Sequence, residues 1–174
     1  MSDVPAPFDE HRTVVRSEWI DHNGHMNAGY YMVVFDDAVT PWTRFIGFTP
    51  ELRAANEVTT FSAEGHITYD REVLEGASLR VTTQLLGYDH KRIHCVHLMY
   101  HDGEGYLAAT NELMTLHVST VDRRVAPMAT EILDRLASIW DAHRHLSVPD
   151  QVGRRLAVPG WSAGEEPVAR APRE

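Results

Sequence analysis

Residues 19–47 read WIDHNGHMNAGYYMVVFDDAVTPWTRFIG, and this stretch decides the fold. Asn27 is a good N-cap residue, and after it apolar side chains recur at steps of three and four residues from Tyr31 to Ile46. The spacing predicts a long amphipathic helix with one thick apolar face. Pro41 lies inside the pattern, where it lacks an amide donor and clashes with the preceding turn, so we expect a kink or a break there. Gly47 then ends the helix.

The segments around this helix have the composition of β-strands. Residues 13–19 predict a first strand, and four more strands follow the helix at Val58–Val73, Ser78–Leu86, Arg92–Tyr100 and Tyr106–Val118. Their short connections predict antiparallel neighbours. Thr130 then precedes apolar residues at helical spacing, which predicts a closing helix. The order of elements is α+β, with one early helix covering one face of the sheet. The open edges of such a sheet favour a homo-oligomer.

Composition limits the classes of protein to which this chain can belong. Its 174 residues are 43% hydrophobic and 24% charged, which fits one globular domain, with residues 1–11 as an N-terminal tail and 158–174 as a mobile C-terminal tail. A net charge of −9 disfavours nucleic acid as a partner. The longest apolar run, Tyr30–Phe35, is too short to span a bilayer. With no secretory signal visible and Cys95 as the single cysteine, we expect a cytoplasmic protein.

The polar loop before the long helix is the densest group of reactive side chains. A carboxylate just upstream of a helix N-terminus can work beside backbone amides directed at a developing oxyanion, and hydrolysis of an acyl compound needs both. Asp21 stands at that place. The alternative is that Asp21, Asn23 and Asn27 are ordinary turn and capping residues, which is the commoner role of these residue types before a helix.

This loop is also where a resemblance to a known family becomes visible. The string Asp21-His22-Asn23-Gly24-His25-Met26-Asn27, followed by aromatic residues, resembles the active-site loop of hotdog-fold thioesterases of the hydroxybenzoyl-CoA type. Further matches, spread over residues 12–157, are similar to the betainyl-CoA thioesterases of carnitine breakdown: Gly65–Tyr69, Glu75–Ala77, Asp89–Arg92, Leu107–Glu112 and Pro149–Arg154. The resemblance implies a hotdog fold, in which a five-stranded, mainly antiparallel sheet wraps a long central helix, plus a C-terminal helix. It also implies hydrolysis of an acyl-CoA, with betainyl-CoA or another short-chain ester as substrate.

The resemblance assigns roles within the loop. Asp21 matches the catalytic acid, acting as general base on water or as nucleophile on the thioester carbon. His25 and Asn27 match polar positions that either orient Asp21 and the water or fix the loop by hydrogen bonds. The amides of Ala28, Gly29 or Tyr30 would polarise the thioester carbonyl. Many relatives carry a second acidic residue two positions before the catalytic one, where this chain has Trp19.

The resemblance further implies a site at the interface of a homodimer, which can pair into a homotetramer. Candidate substrate-binding residues near the partner's Asp21 are His66, Tyr69 and Glu112, with Glu112 as a countercharge; as ordinary sheet residues they would only form hydrogen bonds. A cationic acyl group would find aromatic faces among Trp19, Tyr30, Tyr31 and Trp42, although aromatics at helical spacing are more often core. The phosphates of coenzyme A would bind Lys91, Arg92, Arg123 and Arg124, which are otherwise solvated turn residues.

Three alternatives to a thioesterase remain at this point. A protein of this fold could bind or sense an acyl-CoA without turnover. A hydratase or dehydratase would need a histidine paired with an acid on the helix, and Asp36 and Asp37 have no matching loop histidine. A metal enzyme would use His90, His94, His97 and His101, but side chains alternate along a strand, so His94 and His97 fall on opposite faces. We therefore expect no metal and no cofactor, coenzyme A being part of the substrate.

Overall fold

A long helix packed against one face of an antiparallel sheet forms the body of the protein. The computed structural model describes residues 4–157. It contains the helices α1 (Ala28–Ile46), α2 (Pro50–Asn56) and α3 (Thr130–His143). The strands are β1 (Phe8–Val14), β2 (Val58–Tyr69), β3 (Ser78–Tyr88), β4 (Arg92–His101), β5 (Leu107–Ser119) and β6 (Arg124–Val125).

The sheet has the order β1-β3-β4-β5-β2, and the short β6 pairs with β5. Every pair is antiparallel, as the short connections predicted. The predicted α+β arrangement is confirmed, and β1 and β2 are the two edge strands.

The first strand lies earlier in the chain than predicted. It begins at Phe8, because this buried ring stacks on Phe45 at 4.7 Å and contacts Trp42 at 5.6 Å between ring centroids. Residues 8–11, predicted as part of a tail, therefore belong to the sheet. Residues 17–19, predicted as strand, form a single 3₁₀ turn. The predicted C-terminal tail, 158–174, lies outside the described residues.

The long helix is continuous through Pro41. Proline lacks the amide that would donate to Asp37 O, four residues earlier, but the neighbouring Trp42 is buried in the core. Packing of the apolar face thus maintains the helix across the missing donor. As predicted, Asn27 caps its start and Gly47, with φ of 114°, ends it. The strand β2 stops at Tyr69, four residues earlier than predicted, and the short elements α2 and β6 were not predicted.

The core consists of two apolar clusters separated by a row of polar side chains. One cluster joins the first half of α1 to residues such as Leu79 and Met99. The other joins the second half of α1 and α3 to residues such as Leu85 and Leu113. Between them, the buried side chains of Thr83, His97 and Asn111 lie opposite one another on β3, β4 and β5. We call this row the polar seam.

The chain after α3 crosses the sheet face turned away from α1. Gln84 donates from Nε2 to Leu146 O at 3.5 Å, and Gln151 donates from Nε2 to Asp70 Oδ1 at 2.8 Å. The amide of Gly153 donates to Glu112 Oε2 at 2.7 Å. Residues 144–157 are thereby attached to β3, to β5 and to the residue that follows β2. Within the part of the chain that the structure describes, no helix is long and apolar enough to cross a membrane.

Candidate active site

The loop before α1 is a closed turn fixed by backbone hydrogen bonds. Ile20 and Met26 form an isolated bridge, and inside it the Asp21 amide donates to His25 O at 3.0 Å. Gly24 closes the turn with a φ of 83°, a conformation that glycine adopts without strain. The Met26 amide donates to Val73 O at 2.9 Å, which attaches the loop to the segment after β2. The loop therefore holds Asp21 in a fixed place at the start of the helix.

Only one of the two Asp21 carboxylate oxygens takes part in the hydrogen bonds of this turn. Its Oδ1 accepts the Asn23 amide at 2.8 Å and lies 4.0 Å from His25 Nδ1. Its Oδ2 has no hydrogen-bond partner among residues 4–157, and 16% of the side chain is exposed. One carboxylate oxygen is thus oriented by the loop while the other is free to meet a water molecule or a substrate.

The amides that open α1 differ in availability. The Gly29 amide donates to the capping Asn27 Oδ1 at 2.9 Å, and the Tyr30 amide donates to Asn27 O at 2.9 Å. The Ala28 amide has no acceptor within the described chain. Of the three predicted donors, Ala28 is the one that can bind an oxyanion without breaking an existing hydrogen bond. Asn27 acts in the structure as the cap that occupies the Gly29 amide.

Asp21 and Ala28 line one open cleft of about 330 Å³, which Tyr31 and Tyr69 also line. The Tyr69 hydroxyl donates to Ala28 O at 3.4 Å, and its ring meets the buried Tyr31 ring edge-on with centroids 5.2 Å apart. Burial raises the pKa of the Tyr31 phenol, so this group remains a neutral hydroxyl near neutral pH. The cleft thus combines a carboxylate, a free amide and two aromatic rings.

Three charged residues of the cleft were missed by the sequence reasoning. Asp70, Arg71 and Glu72 follow directly after β2 and line the cleft beside Asp21. The Arg71 guanidinium lies 4.0 Å from the centroid of the Tyr106 ring. Together with Asp21, the residues that line the cleft therefore include three carboxylates and one cation, Arg71. A run of three charges at a strand end is the signal that could have indicated them.

The remaining predicted aromatic residues pack in the interior. Trp19 is 6% exposed and stacks on Tyr30 with centroids 5.5 Å apart. Trp42 belongs to the second apolar cluster, near α3. Neither tryptophan lines the cleft, so within one chain Tyr31 and Tyr69 are the predicted aromatic residues that reach it.

The predicted residues His66 and Glu112 line a different pocket, of about 310 Å³, on the sheet face away from α1. Glu112 Oε1 lies 2.8 Å from His94 Nε2, and its other oxygen accepts the Gly153 amide. Within one chain, the structure therefore brings Glu112 together with His94 and not with Asp21.

The four predicted phosphate-binding residues lie at the far end of the sheet from the cleft. Arg92 is opposite Leu116 and Arg124 is opposite Ser119, whereas Tyr69 at the cleft is opposite Ala109. Lys91 precedes Arg92 in the turn, and Arg123 precedes Arg124. Seven residues of β5 separate the two ends, or about 23 Å at the usual rise of a strand. Arg92 also pairs with Asp89 at 2.8 Å.

Other titratable groups take no part in the cleft. No set of three His, Cys, Asp or Glu side chains placed to hold a metal ion occurs within residues 4–157. As predicted, Cys95 is buried, and burial raises its thiol pKa to about 12. Burial lowers the pKa of His97 to about 4, so its imidazole is neutral.

Comparison with known proteins shows the family. The model of the thioesterase-like superfamily matches residues 15–136. This chain belongs to that superfamily. It is 41% identical to a betainyl-CoA thioesterase of Pseudomonas aeruginosa, over 91% of this chain and 98% of that protein. It is also 35% identical to an L-carnitine dehydrogenase/betainyl-CoA thioesterase of Agrobacterium fabrum, over 84% of this chain and 30% of that longer protein.

Solved structures agree with this membership. A Staphylococcus aureus protein in complex with CoA is 30% identical and superposes with a TM-score of 0.82, over 91% of this chain and 100% of that one. A 1,4-dihydroxy-2-naphthoyl-CoA thioesterase from Synechocystis, 13% identical over 76% of this chain and 96% of its own, shares the fold with a TM-score of 0.66. The predicted hotdog fold is confirmed, and the enzyme hydrolyses an acyl-CoA thioester to the free acid and coenzyme A.

Proposed function

We propose that this thioesterase hydrolyses betainyl-CoA, with Asp21 as the catalytic carboxylate. The observation that carries the proposal is one cleft that is lined both by Asp21, which has a free carboxylate oxygen, and by Ala28, which has a free amide. The relatives named above as betainyl-CoA thioesterases support the choice of acyl group.

The chemistry follows from these two groups. The Ala28 amide binds the carbonyl oxygen and stabilises the negative charge that develops on it. The Asp21 carboxylate takes a proton from the attacking water, or attacks the carbonyl carbon itself and forms an anhydride that water then opens. In both routes the carbon–sulfur bond breaks, the thiolate of coenzyme A leaves and takes up a proton, and the acid is released. His25, 4.0 Å from Asp21, and Asn27 keep the carboxylate and the helix start in place.

The charge of the cleft supports a cationic acyl group. Asp21, Asp70 and Glu72 oppose the one cation, Arg71, so the field in the cleft attracts a positive ligand. The rings of Tyr31 and Tyr69 line the same cleft, and the face of such a ring attracts a quaternary ammonium group, which has no hydrogen bonds to lose.

A homodimer through the edge strand β2 is part of the same proposal. Beyond β5, β2 has no partner strand among residues 4–157, and its Phe61 is 60% exposed. If two copies pair antiparallel along β2, the Val58 end of one copy lies beside the Tyr69 end of the other. Arg123 and Arg124 are at the Val58 end and Lys91 and Arg92 are nearby, so this pairing would bring four cations towards the partner's cleft for the phosphates of coenzyme A. We place the enzyme in the cytoplasm, where an unpaired Cys95 stays reduced.

Release of free thiol from a panel of CoA esters tests the proposal. The wild type should hydrolyse betainyl-CoA in preference to long-chain and aromatic esters. Asp21→Asn should lower turnover by ~10²–10⁴-fold, the usual effect of removing a positioned base, while binding of the ester persists. Glu18→Gln is the matched control, because Glu18 is an exposed carboxylate three residues away and should leave turnover unchanged.

Two results would contradict the proposal. Undiminished turnover in Asp21→Asn would remove this carboxylate from the mechanism. Tight binding of betainyl-CoA without thiol release, in the wild type as in the variant, would instead support an acyl-CoA binding or sensing protein.

A further inference from the structure

The guanidinium of Arg71 is stacked on an aromatic ring beside the catalytic cleft. Among the described residues that line the cleft, Arg71 is the one arginine or lysine. Its Cζ atom lies 4.0 Å from the centroid of the Tyr106 ring, a distance at which the ring face attracts a planar cation. Tyr106 lines a neighbouring pocket of about 460 Å³ and not the cleft, whereas Arg71 lines both. The stack therefore directs the charge of Arg71 towards the neighbouring pocket.

Hydrogen bonds fix both partners of this stack. The Tyr106 hydroxyl donates to Glu72 O at 3.0 Å, which holds the ring against the segment after β2. The backbone amides of Asp70 and Arg71 both donate to Ala108 O, at 2.9 and 3.0 Å. The ring and the backbone that carries the guanidinium are thus held at defined positions beside the cleft.

The carboxylates that flank Arg71 in the sequence have no cationic partner. Asp70 accepts hydrogen bonds from neutral donors, Gln151 Nε2 at 2.8 Å and Thr68 Oγ1 at 3.2 Å. No Lys, Arg or His nitrogen of residues 4–157 lies within ion-pair distance of Asp70 or Glu72. Both carboxylates line the cleft, so their negative charge remains available to a ligand there.

We propose that Tyr106 is a positioning residue for substrate selection: by holding the Arg71 guanidinium, it leaves the two flanking carboxylates free to attract a cationic acyl group. This inference rests on the proposed function, because it concerns how the cleft favours that substrate. A guanidinium paired with either carboxylate would cancel its charge and weaken the field on the acyl cation. The quaternary nitrogen of betainyl-CoA is two bonds from the thioester carbonyl carbon, so it stays in the cleft that these carboxylates line.

A pair of esters of equal shape measures the selection. Betainyl-CoA and tert-butylacetyl-CoA differ in that a quaternary carbon replaces the quaternary nitrogen. The wild type should prefer betainyl-CoA in kcat/KM by about tenfold, because the cleft attracts the cation. Tyr106→Leu should lower this preference by about fivefold, through a higher KM for betainyl-CoA, because the released guanidinium pairs with the carboxylates. Hydrolysis of the neutral ester should be retained.

The double variant Tyr106→Leu/Arg71→Gln separates this effect from a change in the shape of the site. Loss of the arginine should restore the preference, because no guanidinium is left to pair with the carboxylates. Tyr106→Phe keeps the ring face and should retain the preference. Tyr100→Leu is the matched control, because the Arg80 guanidinium lies 4.8 Å from the centroid of the Tyr100 ring and neither residue lines the cleft. It should also keep the preference of the wild type.

An unchanged preference in Tyr106→Leu, a loss that Arg71→Gln does not reverse, or an equal loss in Tyr106→Phe or Tyr100→Leu would overturn the inference and leave the thioesterase standing. If Tyr106→Leu does not fold, Arg71→Lys carries the test at an exposed position. An ammonium group is more strongly hydrated and stacks less well, so the preference should fall there too, and an unchanged preference would overturn the inference. Equal hydrolysis of both esters by the wild type would overturn it as well. A wild type inactive on both esters would contradict the proposed function itself, and the inference with it.

Discussion

His97 shows how one buried residue links the fold to pH. It lies in the polar seam with its Nδ1 2.8 Å from Thr83 Oγ1, and it is fully buried. Burial lowers its pKa to about 4 from an ordinary value of 6.5, so the folded protein keeps the ring neutral in mildly acidic solution. The unfolded chain takes up a proton at this ring below pH 6.5, and the folded protein does so only below about pH 4.

Acid should therefore destabilise the protein between these two pH values. For His97 alone, the free energy of unfolding should fall by about 2 kcal/mol between pH 7.5 and pH 5. Burial also lowers the pKa values of His11 and His143, which act in the same direction. Urea denaturation at both pH values measures the loss. In His97→Gln, which keeps a polar side chain without titration, the difference between the two pH values should shrink by about 2 kcal/mol.

An equal pH dependence in the wild type and in His97→Gln would show that the ring of His97 is not the group responsible. For each protein, the test uses the difference in unfolding free energy between the two pH values. It therefore remains valid even if the substitution itself lowers the stability.

At residue scale, the sequence predicted the loop that places Asp21 at the start of α1 and missed part of its surroundings. The spacing of Asp21, Asn27 and the helix start is local, so the pattern sufficed to place them together. Asp70 and Glu72 reach the same cleft from the end of β2, about fifty residues later, and local spacing has no information on such a contact. Glu112 was predicted as a substrate-binding residue, but within one chain the register of the sheet places it beside His94.

At the scale of elements, Glu112 provides one of the contacts that attach residues 144–157 to the sheet. This carboxylate accepts the Gly153 amide at 2.7 Å and faces His94 with its other oxygen at 2.8 Å. Hydrogen bonds to a charged acceptor are stronger than neutral ones, but this contact is open to solvent on one side.

Glu112→Ala should loosen the chain around Gly153. Hydrogen exchange followed by mass spectrometry should show the amides of residues 150–155 exchanging on the order of tenfold faster, because the acceptor of one amide is lost. Glu10→Gln, an exposed carboxylate on β1, should leave these amides unchanged. Unchanged exchange in Glu112→Ala would mean that the other contacts of the segment hold it without Glu112.

Elements were predictable where their signals are local. The ends of α1 could be predicted from the capping residues Asn27 and Gly47. The antiparallel strands could be predicted from the short turns between them. Phe8 was not recognised as the start of β1, because its packing on Trp42 and Phe45 joins residues more than thirty positions apart. Of the kink or break predicted at Pro41, the break does not occur, since burial of the apolar face keeps the helix continuous.

At the scale of the whole molecule, the two edge strands are not equivalent. The edge formed by β2 carries Phe61, 60% exposed, and Met32 on the neighbouring helix face is 45% exposed. The opposite edge, β1, carries an apolar residue of similar exposure, Val14 at 50%. The proposed dimer uses the first edge.

Phe61→Lys should therefore weaken the dimer, because it places a charge on an apolar contact at the proposed interface. Sedimentation velocity at several concentrations should show a dimer for the wild type and a monomer for this variant. Val14→Lys is the matched control and should remain dimeric. Dissociation of the Val14→Lys dimer, with Phe61→Lys intact, would move the interface to β1.

The polar seam also determines how the molecule responds to compression. Two apolar clusters pack densely on either side of it, whereas Asn111 and the nearby His11 each present a buried atom without a partner among residues 4–157. Hydrostatic pressure favours states in which water fills imperfectly packed space, and polar atoms are where such water is held. Under pressure, we therefore expect water to enter the interior first along this seam, beneath the middle of α1.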